Sequence, residues 1–141
     1  MFTSKSNWLL SGLLFGLLAL CASCKGKKPD LTVQLINTAS IQVTCPGGPG
    51  TCVTTVSFTI ANTGNAQADA FNVKVTFDPG VTINQPVPAM PAGATQMFTL
   101  SSPPGGNCFN PDCTICVEVD DANVIQESNE GNNKKCQTKP G

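Results

Sequence analysis

Two neighbouring stretches collect the residues whose types and spacing could do chemistry. Cys113 and Cys116 stand in C-x-x-C spacing, an arrangement that holds zinc in some folds and forms a redox pair in others. Just beyond them, Asp120, Asp121, Glu127, Asn129 and Asn132 bring several oxygen donors close together in sequence. Calcium takes about six to eight oxygens, so calcium is the one cofactor these residues nominate. The spacing is not that of an EF-hand loop, and the same Asn- and Gly-rich run can be read as a tight hairpin, since Asn and Gly suit turns.

The competing chemistries lack parts. A structural zinc site needs a second close pair, and Cys45/Cys52 and Cys108/Cys136 do not supply one. A thioredoxin-like pair expects a βαβ setting that is absent. Asp120 and Asp121 could serve as acid and base, but in an Asn-rich hairpin such carboxylates are solvated. The chain has no His and no Tyr, which removes the commonest general base and metal ligand. No nucleophile elbow, phosphate loop or HExxH motif occurs. The sequence therefore predicts no catalytic residues and no enzyme.

Charge excludes a further class. The net charge is −1 over 141 residues and every positive residue is Lys, so there is neither a field to attract nucleic acid nor an Arg to grip phosphates. Nucleic acid is not an expected partner.

The N-terminus explains where such a chain would work. Lys5 supplies positive charge, Trp8 to Leu20 is almost unbroken apolar sequence, and Cys21-Ala22-Ser23 adds small residues. The run is shorter than the roughly 20 residues a spanning helix needs and ends at a Lys-rich stretch, so residues 1–23 read as a cleaved signal peptide. Ala22-Ser23-Cys24 resembles the lipobox of bacterial lipoproteins, which implies a lipid on Cys24, although Cys21 stands where that family usually has Leu. Residues 24–29 then read as a lipidated cysteine and a polar tether. The expected location is the cell envelope, anchored to a membrane, or the medium if Cys24 carries no lipid.

Setting Cys21 and Cys24 aside leaves Cys45, Cys52, Cys108, Cys113, Cys116 and Cys136, an even set in a chain destined for an oxidising compartment, which predicts disulfides. Cys45-Pro-Gly-Gly-Pro-Gly-Thr-Cys52 cannot be regular structure and reads as a turn clipped at its ends.

The elements that must position these residues are strands. Leu31, Val33 and Leu35 alternate with polar residues; so do Val56, Phe58 and Ile60, then Phe71, Val73, Val75 and Phe77, and later Ile115, Val117 and Val119. Phe98 and Leu100 mark another strand and Lys134 to Thr138 a last one. Val81 to Pro91 is rich in Pro and reads as an edge strand or irregular connection. Gly64 looks free to adopt positive φ in the turn after Ile60. About seven short strands with one apolar face each make an all-β domain, a two-sheet antiparallel sandwich over residues 30–141. In an unbulged hairpin, paired numbers keep a constant sum, so pairing Asp120 with Asn132 sets Cys116 opposite Cys136 and leaves Cys45–Cys52 and Cys108–Cys113 as local clips.

Several stretches resemble one family. Pro29-Asp30-Leu31-Thr32-Val33, the Asn62-Thr63-Gly64-Asn65-Ala66 turn, Pro91-Ala92-Gly93, and Val119 through Asn133 with its closing E-S-N-E-G-N-N run are similar to CARDB, the bacterial and archaeal "cell adhesion related" domain. The resemblance implies an immunoglobulin-like β-sandwich on an exported protein, acting as an interaction or spacer module toward a protein or glycan at the cell surface. The cysteine-closed loops are not part of the family pattern. They leave a second reading open, a secreted disulfide-rich inhibitor or effector acting through those loops.

Overall fold

The computed structural model describes residues 26–48, 50–106, 108 and 112–141. The expected signal peptide and Cys24 lie outside the described residues. Seven strands follow one another: β1 (Leu31–Thr44), β2 (Val53–Asn62), β3 (Phe71–Phe77), β4 (Val81–Val87), β5 (Thr95–Ser101), β6 (Cys113–Val119) and β7 (Lys134–Lys139). They form two antiparallel sheets, β1-β2-β5 and β4-β3-β6-β7, in an immunoglobulin-like sandwich.

The period-2 pattern explains which side chains face inward. On β3, Phe71, Val73, Val75 and Phe77 are buried, and Cys113, Ile115, Val117 and Val119 of β6 meet them in register. From the other sheet Leu31, Val33, Ile36, Ile41, Val56, Phe58 and Ile60 fill the space between. Burying a side chain of this size contributes about 1.5–3 kcal/mol, so the alternating strands supply the main driving force for the fold.

β1 departs from simple alternation. Its pairing with β2 slips between Val33 and Leu35 and again between Asn37 and Gln42. The first bulge turns Leu35 out to solvent, 53% exposed, and Ile36 in, 3% exposed. The expectation that Leu35 faces the core is therefore corrected: the extra residue shifts the phase of the strand by one position. Asn37–Ser40, which breaks the alternation in the sequence, is part of the same long strand. β4 is an edge strand with Pro86 as its penultimate residue, and on an edge strand a residue without an N–H is tolerated.

The described residues form three disulfides, Cys45–Cys52, Cys108–Cys113 and Cys116–Cys136. Cys116 and Cys136 are direct cross-strand neighbours in the β6–β7 hairpin, with Cα atoms 4.0 Å apart. Residues three apart on a strand project from opposite faces. Cys113 therefore turns into the core and Cys116 outward, and each bonds a different partner rather than sharing a metal or each other.

The two sheets differ sharply in charge. β1, β2 and β5 contain no charged residue, whereas the other sheet carries a cross-strand row of Lys74, Glu118 and Lys134 on its outer face, with ion pairs of 3.3 and 3.6 Å.

Candidate functional site

The oxygen-rich run is not a tight hairpin, as its composition suggested. Between β6 and β7 the chain takes a long excursion, from Asp120 to Asn133, that crosses to the beginning of β1. It starts with a turn in which Asp120 and Asn123 adopt left-handed backbone, at φ 48° and 52°. Asp and Asn are the side chains that tolerate this region. Asp120 is buried, and its two carboxylate oxygens accept the N–H groups of Val124 (3.0 Å) and Ile125 (2.7 Å). That turn drives Ile125 into the core.

Ile125 brings Glu127 beneath the first residues of β1. Its side chain is 5% exposed; one oxygen accepts the backbone N–H of Leu31 and the other the Nδ2–H of Asn133 at 2.8 Å. Burial pushes the Glu127 carboxyl above the usual carboxylate range, against the lowering effect of those two donors. Glu130 closes the loop by accepting the N–H of Glu127 at 2.9 Å. Asn132 Nδ2 donates to Asp30 at 2.8 Å, Thr32 Oγ1 donates to the carbonyl of Asn132 at 3.2 Å, and Ser128 N–H donates to the carbonyl of Pro29 at 2.9 Å. With their amide N–H groups spent on carboxylates, Asn132 and Asn133 keep buried carbonyl oxygens without donors.

The same segment is gripped from its other side by the turn after β2. Asn62 is fully buried and makes four side-chain hydrogen bonds: Oδ1 accepts from Asp30 N (3.1 Å) and Gly64 N (3.1 Å), and Nδ2 donates to Ala66 O (2.8 Å) and Met90 O (3.0 Å). Thr63 N–H donates to Asp30 O at 2.7 Å, while Lys28 and Asn65 exchange bonds of 2.9 and 3.0 Å. Gly64 is not in the positive-φ region expected for it. A Cβ at that position would overlap the backbone of Lys28, Pro29 and Asp30, so the glycine is there to let two chains touch. Lys28 and buried Pro29, read in the sequence as the end of the tether, are thus part of the folded domain.

The five residues nominated for calcium are not brought to one point. Asp120 spends both oxygens on backbone N–H groups and Glu127 spends both on Leu31 and Asn133. Asp121 pairs with Lys74 at 3.6 Å, Asn129 Oδ1 accepts the Gly131 N–H at 3.0 Å, and Asn132 turns its amide to Asp30. Among the described residues no group of three or more His, Cys, Asp or Glu is placed to hold a metal ion. As arranged, these side chains do not fit calcium; they are the turn and the clasp.

The motifs that form this clasp are also the ones by which the chain can be placed among known proteins. The CARDB profile matches residues 28–137. The chain belongs to the CARDB family. The match begins at Lys28, where the clasped segment begins. Solved CARDB domains share the fold: the CARDB domain of the PF1109 protein of Pyrococcus furiosus, crystallised in complex with di-metal ions, aligns with a TM-score of 0.59 at 20% identity over 82% of this chain and 94% of that one. A solution structure of the same Pyrococcus domain gives 0.57 at 21% identity, covering 82% and 96%. A domain from a protein of Methanosarcina acetivorans, described as a cell surface protein, gives 0.58 at 21% identity, covering 80% and 91%. Among curated proteins none matches. In this CARDB chain the polar run from Asp120 to Asn133 serves the turn and the clasp through its hydrogen bonds. Sequence reasoning missed the role of Glu127 and Asn62 because their partners lie 96 and 32 residues away; the only local signal was an acid and an amide each set in a turn-rich stretch.

Proposed function

We propose that this CARDB chain is an exported, membrane-anchored interaction module of the adhesion type, engaging a protein or glycan at the cell surface and performing no catalysis. The observation that carries the reading is the clasp on residues 28–32. The segment that follows the proposed lipid anchor is held by both the Asn62–Asn65 turn and the Ser128–Asn132 run, so a pull on the anchor is spread over several backbone hydrogen bonds before it reaches the core. Such a junction suits a domain that must keep its shape while attached at one end. The cell-surface description of the Methanosarcina relative supports the same location. The absence of Arg and the net charge of −1 argue against nucleic acid as a partner. The di-metal ions of the Pyrococcus domain are not carried over, because Asp120, Glu127 and Asn129 spend oxygens on backbone and amide N–H groups and Asp121 pairs with Lys74.

The anchor is tested by Cys24→Ala. Acyl chains contribute about 0.8 kcal/mol per buried methylene, so loss of the lipid should move the protein from the membrane pellet to the soluble fraction. A Cys24→Ala chain that still sediments with membranes like the native one would overturn the anchored reading.

A further inference from the structure

A sandwich of two open sheets has four edge strands, here β1, β5, β4 and β7. An unpaired edge is a template for another chain, and proteins blunt it with bulges, Pro or Lys. Three of the four edges are blunted. β1 is bulged twice, and Lys135 and Lys139 of β7 donate their ammonium groups to its carbonyls at Gln34 (2.8 Å) and Ile41 (2.7 Å). β7 is short and itself rich in Lys. β4 carries Pro86, one residue before its end.

β5 has none of these devices. Thr95–Ser101 contains no Pro and no charge, and it pairs with β2 through seven successive residues without a bulge. The direction of its backbone groups follows from the ladder's two ends. Asn62 N–H donates to Ala94 O (3.0 Å) and Ser102 N–H donates to Thr54 O (2.8 Å). Hydrogen-bonded pairs alternate along an antiparallel ladder, so Gln96, Phe98 and Leu100 turn their N–H and C=O toward β2. Thr95, Met97, Thr99 and Ser101 turn theirs to the open side. Along this side Phe98 and Leu100 are only partly buried, and Met97 is 71% exposed.

We infer that β5 pairs antiparallel with β5 of a second copy of this chain, about a two-fold axis at Phe98. In that register Thr95 faces Ser101 and Met97 faces Thr99, so all four outward-turned residues of each strand enter hydrogen-bonded pairs. Phe98 meets its own counterpart, extending the stacked Phe58–Phe98 pair, whose rings are 5.5 Å apart, into a row across both copies. A strand without charge opposes no like charges when paired with itself. The product is one six-stranded sheet running through two sandwiches. An edge pairing alone buries less than the roughly 800 Å² per partner of a stable interface, so the dimer is weak in dilute solution and populated when copies share a membrane and their local concentration is high. The pairing itself does not depend on the proposed lipid.

Hydrogen exchange of the native full-length chain, at low and high protein concentration, tests it without alteration. The expected result is an alternating pattern, with the amides of Met97 and Thr99 slowed by about tenfold or more at high concentration and abolition of that slowing by Thr99→Pro, which removes only an outward N–H. Oxidative cross-linking in membranes gives a second measurement: Met97→Cys with Thr99→Cys, and Thr95→Cys with Ser101→Cys, should form dimers that Asn84→Cys on β4 does not. Amides of β5 that exchange equally at both concentrations, or dimers formed as readily from Asn84→Cys, would overturn the proposal, whatever the fate of the lipid anchor.

Discussion

The carboxylate of Glu127 accepts the backbone N–H of Leu31, 96 residues earlier in the chain, and so ties the last loop of the sandwich to the start of its first strand. A backbone donor at the beginning of an edge strand is otherwise difficult to satisfy without water, and here a buried acid supplies the acceptor.

Replacing Glu127 with Ala leaves that N–H and the Asn133 amide without acceptors. Hydrogen bonds to charged groups contribute about 1.5–3 kcal/mol each, so Glu127→Ala should cost about 3 kcal/mol. Glu127→Gln should stay within about 1 kcal/mol of the native chain, because Gln still accepts from Leu31 and its amide can donate to the donorless carbonyl of Asn133 once that side chain flips. Urea unfolding of the two variants checks the contrast; equal losses would show that the charge, not the acceptor, is what the site needs.

The pH dependence of this pair follows from the direction of the Glu127 shift. Its folded pKa lies above the ordinary 4.5, so the folded state holds the proton more tightly than the unfolded one. Stability from this group is therefore fully present below 4.5 and is lost as pH rises through the folded value. The difference in unfolding free energy between native and Glu127→Gln chains should move in favour of Gln as pH climbs from 4.5 toward neutrality. A difference that is flat with pH, or that moves the other way, refutes the burial argument.

Gly64→Ala should destabilise by at least the roughly 1–3 kcal/mol typical of overpacking, since the atoms it meets are backbone rather than a flexible side chain. Asn62→Ala should be as damaging, because it strips acceptors from Asp30 and Gly64 and a donor from Met90 in a fully buried place. In hydrogen exchange both variants should deprotect Asp30 and Thr63 before the core of β3; loss of protection starting in β3 would locate the clasp's importance elsewhere.

Cys116→Ser with Cys136→Ser removes a link that closes 20 residues of sequence separation. Loop-closure entropy assigns about 3 kcal/mol to such a link, and the hairpin ladder remains to hold the fold. Thermal unfolding should show a lowered midpoint with native-like strand content below it, and peptide mapping of the unreduced native chain should recover a Cys116–Cys136 peptide.

Because the oxygens of Asp120 and Glu127 are already bonded, millimolar calcium is expected to leave the melting temperature unchanged. A calcium-dependent rise that Glu127→Gln abolishes would show a site that opens on binding.

How far the sequence reveals this molecule depends on the range of the interaction. Alternation at Phe71, Val73, Val75 and Phe77 is written within one strand, and the sum that pairs Glu118 with Lys134 carries the hairpin register to Cys116 and Cys136. The phase change at Leu35 is invisible, because a bulge adds a residue without altering composition. The clasp is harder still: Asp120, Glu127 and Asn132 look like a ligand set because oxygen donors in sequence do not reveal that Asp120 accepts the N–H groups of Val124 and Ile125, that Glu127 accepts from Leu31 and Asn133, and that Asn132 turns its amide N–H to Asp30. In sequence Gly64 reads as a turn residue, and only the approach of the Lys28, Pro29 and Asp30 backbone shows why no side chain fits.

The uneven placement of Lys also governs where a protease can cut the domain. A trypsin-like protease cuts after Lys or Arg, and the chain has no Arg and no Lys between Lys28 and Lys74 or between Lys74 and Lys134. Lys74 sits mid-strand in contact with Glu118 and Asp121. The Cys45–Cys52 loop and the stretch between β5 and β6 thus contain no residue such an enzyme cleaves after. Apart from Lys74, the Lys residues stand near the two ends, up to Lys28 and within β7.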